Sequence, residues 1–307
     1  MVKTEAPALL NRTRGETMRE IELQWSDISL DDAYAFSYPH LPERYDGLAE
    51  KFPGLPLLVV DQARRVICGH DYLLLLRQRG ERPGRVLQVD LAGADALLLN
   101  YNILHCLFGL NLYEKLLFIK KILPLCPPEN IRRRAELNFT LDDHLRQSLD
   151  LLLVEPFRFC LAAGRLGLKA ALRLADMAEA DRLAVAGLLQ ACKFSESQQA
   201  QLIQLLEETA FRDKKSLAAI LAAGGWSELL EQEMPQKKVI KALQAARYPA
   251  YARMEDDWHI WQKKMTAGCG LSLAHAPFFT KGDIQISLTV KNRAEAEKLL
   301  GKLKKNV

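Results

Sequence analysis

Leu57-Leu58-Val59-Val60, the turn residues Asp61 to Arg64, and then Arg65-Val66-Ile67-Cys68-Gly69-His70-Asp71-Tyr72 form the stretch on which the fold turns. An apolar run that ends in turn formers reads as a buried strand, and 65–68 returns as the second strand of a hairpin. Gly69 then opens a short apolar helix over 72–79, which Gly80 closes.

On the N-terminal side, Ile21, Leu23 and Trp25 alternate, which predicts a strand over 21–30 that ends at the acidic turn Asp31-Asp32. Residues 1–18 are polar and aperiodic, the pattern of a loose arm, and 39–56 is punctuated by Pro and Gly. On the C-terminal side a strand is expected over 86–91 and helices over 94–107 and 112–123, the latter from the spacing of Leu112, Leu116, Leu117, Ile119 and Ile122. Pro124 and the Pro127-Pro128 pair then end the strand signal, marking a domain boundary.

Helices are expected over 129–136, 142–163 with a break at Pro156, 168–178, 181–192, 196–210, 214–223 and, behind Pro235, 236–247. Ser195 with Gln198 makes a capping box, and Gly224-Gly225 a helix stop. Near the end Ile284, Ile286, Leu288 and Val290 alternate as a half-buried strand, and Asn292 with Glu295 caps a closing helix over 293–304. The expected class is therefore α+β: an arm (1–18), a small mixed domain (19–125), an all-helical domain (126–225), and a C-terminal helical plus β-α unit (226–307).

Composition narrows the function. The 307 residues are 49% hydrophobic, enough for at least two cores. The 42 basic and 38 acidic side chains leave only +4, so any nucleic-acid surface must be local. Cys68, Cys106, Cys126, Cys160, Cys192 and Cys269 fall in no C-x-x-C pair and suggest reduced thiols rather than a zinc site or disulfides. The first twenty residues lack a long apolar core, and no run approaches the ~18 residues that span a bilayer. A cytoplasmic protein with no membrane partner is expected.

Three stretches, in order, resemble the ParB partitioning family of bacteria. Leu55-Pro56-Leu57-Leu58-Val59-Val60 with Val66-Ile67-Cys68-Gly69-His70-Asp71-Tyr72 is similar to the family's strand, hairpin and G-[EH]-R-R helix start. Asn102-Ile103-Leu104-His105 leading to Tyr113-Glu114-Lys115 resembles its E-N-x-x-R segment and the acidic residue that follows. Leu161-Ala162-Ala163-Gly164-Arg165-Leu166-Gly167-Leu168-Lys169-Ala170-Ala171 resembles the element after its helix-turn-helix. The resemblance covers about residues 20–220 and implies a ParB/sulfiredoxin-type first domain.

In better-matching members of that family this domain binds CTP with a divalent metal, so the resemblance implies CTP with magnesium. The corresponding residues here are Gly69, His70, Asp71, Tyr72, Asn102, His105 and Glu114. A glycine at a helix start lets backbone N–H groups approach phosphate. Yet Asp71 and Tyr72 stand where the family has its arginine pair, and His105 where E-N-x-x-R has its arginine, so CTP hydrolysis is not expected. Cys68 has no arginine beside it that would make it a reactive thiolate of the sulfiredoxin kind.

The resemblance also implies a DNA reader. Two helices around a turn near Asn138-Phe139-Thr140 would place Ala135 at a small-residue position and Leu145 and Leu149 inward. Phe139 would take the place that usually wants a left-handed glycine. Thr140, His144, Arg146 and Gln147 would face the duplex, with Asp143 beside them, and Arg132, Arg133 and Arg134 the phosphates. Arg212-Lys214-Lys215 and Lys302-Lys304-Lys305 are secondary basic clusters.

The leading expectation is a homodimeric, nucleoid-associated protein that binds double-stranded DNA in chromosome or plasmid partitioning or in control of a locus. One alternative is a nucleotide-binding enzyme, a CTPase or phosphotransferase acting through Asp71, Asn102 and Glu114. The other is a non-catalytic adaptor that pairs through strand 284–290.

Overall fold

The computed structural model describes residues 18–29, 31–40, 42–45, 48, 57–231, 233–266, 271–276, 282–288, 292, 293, 296 and 297. The arm before Met18, nearly all of the closing helix 293–304, and Lys302, Lys304 and Lys305 lie outside the described residues. The fold is α+β.

Four strands form a mixed sheet: β1 (Arg19–Leu23), β2 (Val59–Val60), β3 (Val66–Cys68) and β4 (Gly84–Gln88), in the order β1-β4-β2-β3. β1 runs antiparallel to β4 with Ile21 opposite Val86, β4 runs parallel to β2 with Val59 opposite Leu87, and β2 and β3 form the hairpin. Buried Asp61 fastens the hairpin turn, its carboxylate accepting from the Arg65 backbone N–H at 2.9 Å and from Arg65 Nε at 2.7 Å. The strand expected over 21–30 stops at Leu23. There the Asp27 carboxylate accepts the Gln24 N–H at 3.0 Å, and a 3-10 turn over Trp25–Asp27 takes over.

Pleating divides the apolar residues between two faces. Leu58, Val60, Val66 and Val86 pack on Leu73 and Leu76 of α1 (His70–Arg79). Val59, Ile67, Leu87 and Val89 join the main core with Ala96 and Leu97 of α2 (Gly93–Phe108). The sheet is thus sandwiched between two helices.

The helical part continues with α3 (Leu112–Ile122), α4 (Pro128–Ala135), α5 (Asp143–Leu152), α6 (Phe157–Ala162), α7 (Leu168–Ala175), α8 (Glu179–Ala191), α9 (Glu196–Asp213), α10 (Leu217–Ala223), α11 (Trp226–Leu230), α12 (Pro235–Arg247) and α13 (Pro249–Thr266). A separate pair, β5 (Leu271–His275) and β6 (Ile284–Leu288), follows with Leu273 opposite Ile286. The helix break falls at Pro156, and Ser195 and Gln198 form the reciprocal cap at the start of α9.

One buried apolar cluster runs from Tyr34 to Leu243. Its centre is an aromatic knot. Phe36, from the loop after β1, lies 5.6 Å from the Phe118 ring of α3, and Phe118 lies 4.3 Å from Tyr101 of α2. All three rings are buried. Through α2 and α3 the knot supports α4, α5 and α6, which pack directly on them.

Phe118→Ala should lower the unfolding free energy by about 3–5 kcal/mol, the range for emptying a large aromatic site. Urea titration should show this as a lower midpoint at unchanged slope.

Candidate functional site

Two places carry the chemistry expected from the sequence: the start of α1, and the pair α4–α5.

At the first, Gly69 leaves β3 with φ of 98° and caps α1. A Cβ at Gly69 would lie 2.4 Å from the Leu57 carbonyl oxygen, so both the backbone angle and the close approach require glycine. The turn carries Asp71 inward until only 3% of it is exposed. Glu114, in the first turn of α3, is 1% exposed. Both carboxylates line one pocket with Ser37, Arg44, Tyr45 and Phe108.

Buried carboxylates need partners, and a short preceding segment supplies them. His40 Nδ1 lies 2.8 Å from Asp71 Oδ1, and Arg44 Nη1 donates to Glu114 Oε1 at 3.3 Å. The Tyr38 N–H donates to the same Glu114 oxygen at 3.2 Å, and the Asn111 N–H to Oε2 at 2.9 Å. Asn111 caps α3 in return by accepting the Glu114 N–H at 2.9 Å, and its Nδ2 donates to the Tyr38 carbonyl at 2.7 Å.

Burial raises the Glu114 carboxyl above 4.5, against the opposing pull of the Asn111 and Tyr38 N–H groups and of Arg44. Burial, with Cys68 and Asp71 adding to it, also lifts the Tyr45 phenol well above its usual value.

Of the residues expected at a nucleotide, only Asp71 and Glu114 line this pocket. Gly69 shapes the turn before it. Tyr72 leans on Tyr45 at 5.5 Å between ring centres. His70 points elsewhere: burial lowers its pKa against the pull of the Asp31 backbone, and its Nε2 is buried without a hydrogen bond. His105 is exposed and stacks on Tyr101, while Asn102 is only half-buried. The asparagine of α2 that is buried is Asn100, whose Nδ2 donates to the Tyr34 carbonyl at 2.8 Å.

Sequence reasoning missed His40, Arg44 and Asn111. The usable signal was pairing: a buried acid on each of two helices demands hydrogen-bonding partners, and the stretch before β2 offers His40 and Arg44.

These residues do not fit CTP with magnesium. A triphosphate would face two carboxylates, the pocket's guanidinium is committed to Glu114, and the walls leave no room for a water-sized body. Among the described residues no three His, Cys, Asp or Glu side chains converge on a metal position. The burial of Cys68 drives its thiol up to about 12, far from a reactive thiolate.

At the second place, α4 and α5 bury Ile131, Ala135, Leu145, Leu149 and Leu152 and turn their polar sides outward. Arg132, Arg133, Thr140, His144, Arg146 and Gln147 are exposed. Arg134 is held 2.7 Å from Asp95 and Arg133 lies 3.4 Å from Asn130, whereas Arg132 has no ion-pair partner among the described residues. His144 pairs with Asp176 at 2.9 Å and Arg146 with Asp143 at 3.1 Å. Asp142 caps α5, accepting the Leu145 N–H at 2.8 Å.

The turn corrects one expectation. Its left-handed residue is Glu136, with φ of 48°, not Phe139. Glu136 is exposed and ends α4, while Leu137, Phe139 and Leu141 pack against the core and draw the turn onto the protein. Beside α5 an open groove of about 450 Å³ is lined by Leu123, Pro124, Asp143, Arg146 and Gln147.

No family model matches the chain, and no curated protein matches it. Among solved structures it is similar to the pNOB8-like ParB N-domain in two structures. One, in a C2221 crystal form, is 17% identical with a TM-score of 0.39, over 74% of this chain and 95% of that one. The other is also 17% identical with a TM-score of 0.35, over 78% of this chain and 98% of that one. Among the described residues no helix is long and apolar enough to cross a membrane.

Two outcomes test this geometry. Gly69→Ala should cost about 2–4 kcal/mol, combining left-handed strain with the clash on Leu57, read as a lower denaturation midpoint. Glu114→Gln should change the pH dependence of stability. Below pH 4.5 the acid is protonated in both folded and unfolded chains; as the pH rises through its higher folded pKa, the folded state must ionise a buried carboxyl and loses stability. The unfolding free energy of wild type minus that of the Gln variant should therefore fall as the pH is raised from 4.5, and a flat difference contradicts the assignment.

Proposed function

We propose that the protein binds double-stranded DNA through α4 and α5, in partitioning of a replicon or in control of a locus. The supporting observation is the division of this helix pair into a buried apolar side and an exposed side bearing Arg132, Arg133, Thr140, His144, Arg146 and Gln147. An α-helix fits the major groove, where Gln147 would address base edges, and arginines one helix away would meet phosphates. Asp142, which would repel the backbone if free, is occupied in capping α5. Asp143 is held by Arg146.

The Asp71–Glu114 pocket supports no nucleotide reaction in this reading. It serves as the electrostatic fastening of the segment over 38–45 onto α1 and α3.

Labelled duplex titrated at two ionic strengths tests the proposal. Affinity should fall steeply with salt, and Arg132→Ala with Arg133→Ala should reduce the slope of log K against log salt by about 1 for each phosphate contact removed. Gln147→Ala should instead relax preference at one base pair by ~1–3 kcal/mol. Absence of salt-sensitive binding to any duplex in a screen of genomic fragments rejects the reading.

A further inference from the structure

The basic cluster Arg212-Lys214-Lys215 belongs to neither place described above. It lies where α9 ends, beside the C-terminal end of α12. Arg212 clamps the two ends together, its Nη1 donating to the Ala246 carbonyl at 2.8 Å and to the Arg247 carbonyl at 2.7 Å.

At this end Phe211 is 90% exposed, more than any other large apolar side chain among the described residues. One exposed ring is ordinary at a protein surface, but here a second ring stands beside it. Tyr248 is 40% exposed, and its hydroxyl donates to Glu208 Oε2 at 3.0 Å. The Arg247 guanidinium lies over the Tyr248 ring, 4.7 Å from its centre, and donates to the same carboxylate oxygen at 3.2 Å. Phe211 follows Glu208 by three residues and so neighbours it on the helix surface; the two rings flank one carboxylate.

Charge around the rings is unbalanced. Three acids occupy the last two turns of α9, and each faces an arginine: Glu207 with Arg173, Glu208 with Arg247 and Asp213 with Arg212. The charge left over is that of Lys214 and Lys215, both exposed and without an ion-pair partner among the described residues. Lys214 has φ of 52°, a left-handed position that glycine ordinarily takes, so a lysine is kept where any side chain is disfavoured.

Exposed aromatic faces beside unpaired cations match an unstacked base and its phosphates. A duplex offers no such base, because its faces are already stacked on one another. A membrane fits worse: inserting one ring would draw Glu207, Glu208 and Asp213 out of water.

We propose that Phe211, Tyr248, Lys214 and Lys215 form a binding site for single-stranded nucleic acid, with Phe211 stacked on a base and the lysines on the adjoining phosphates. The site is separate from α4 and α5 and does not rest on duplex binding there.

Fluorescence anisotropy of the full chain with labelled oligothymidine of about 15 nucleotides tests the proposal. Wild type should bind, and Lys214→Ala with Lys215→Ala should reduce the slope of log K against log salt by about 0.7 for each lysine removed. Phe211→Ala and Phe211→Leu should each weaken binding at least about fivefold, whereas Phe211→Tyr should stay within about twofold of wild type. A strand of abasic sites should bind wild type no better than oligothymidine binds the Phe211→Ala variant. Oligouridine should bind like oligothymidine, because neither contact reads the sugar. Arg132→Ala with Arg133→Ala should leave the effect of Phe211→Ala unchanged, which separates this site from the duplex surface. A wild type that binds neither strand, a Phe211→Ala variant that binds as wild type does, an abasic strand bound as tightly as oligothymidine, or a Phe211→Ala loss seen with phosphatidylserine vesicles instead of strands would each overturn it.

Discussion

The packing of the Phe36, Tyr101 and Phe118 rings is the contact on which the remaining architecture rests. These rings come from a loop, α2 and α3, and their burial makes one object of segments that have little local reason to meet. The loop, once anchored by Phe36, delivers Tyr38, His40 and Arg44 to Asp71 and Glu114. α3, once anchored by Phe118, offers its other sides to α5 and α6. Both candidate sites therefore depend on the same packing, one on each side of α3.

The carboxylate pocket shows how charge can be accommodated in a core without becoming a binding site. Two acids on two helices are held by the His40 ring and the Arg44 guanidinium from one short segment, and Asn111 completes the network with a reciprocal cap. Each buried acid has at least one hydrogen-bond partner, as a low-dielectric interior demands. The arrangement fastens the loop, and it also sets negative charge where a phosphate ligand would require positive charge. A glycine-started helix is thus compatible with a nucleotide site without being sufficient for one.

The surface divides its polar residues differently. On α4 and α5 several cations already have intramolecular partners, Arg134 with Asp95 and Arg146 with Asp143 among them, so the exposed charge there is moderated rather than concentrated. That agrees with a net charge of only +4. On α13, by contrast, Arg253 stands beside Glu255, Asp256 and Asp257, and Lys263 and Lys264 close the helix.

Local chemistry in the sequence was enough to place the hairpin, the glycine-started α1, α2, α3, the break at Pro156 and the Ser195 cap. Each rests on apolar periodicity or on a residue's own backbone preference. The buried face of α4–α5 was legible for the same reason, through Ala135, Leu145 and Leu149. Other features are decided by partners distant in the chain. Gln24 and Asp27 end β1 early; Glu136 takes the left-handed turn while Phe139 packs against the core; Asn100 rather than Asn102 faces the interior. The pairing of His40 with Asp71 and of Arg44 with Glu114 spans 31 and 70 residues, and no local pattern encodes contacts of that length. α13 and β5 passed unnoticed, although the apolar face of α13 is written in its spacing. Periodicity states which face is apolar, and only the assembled structure shows that Met254, Trp261 and Met265 of this face stay exposed.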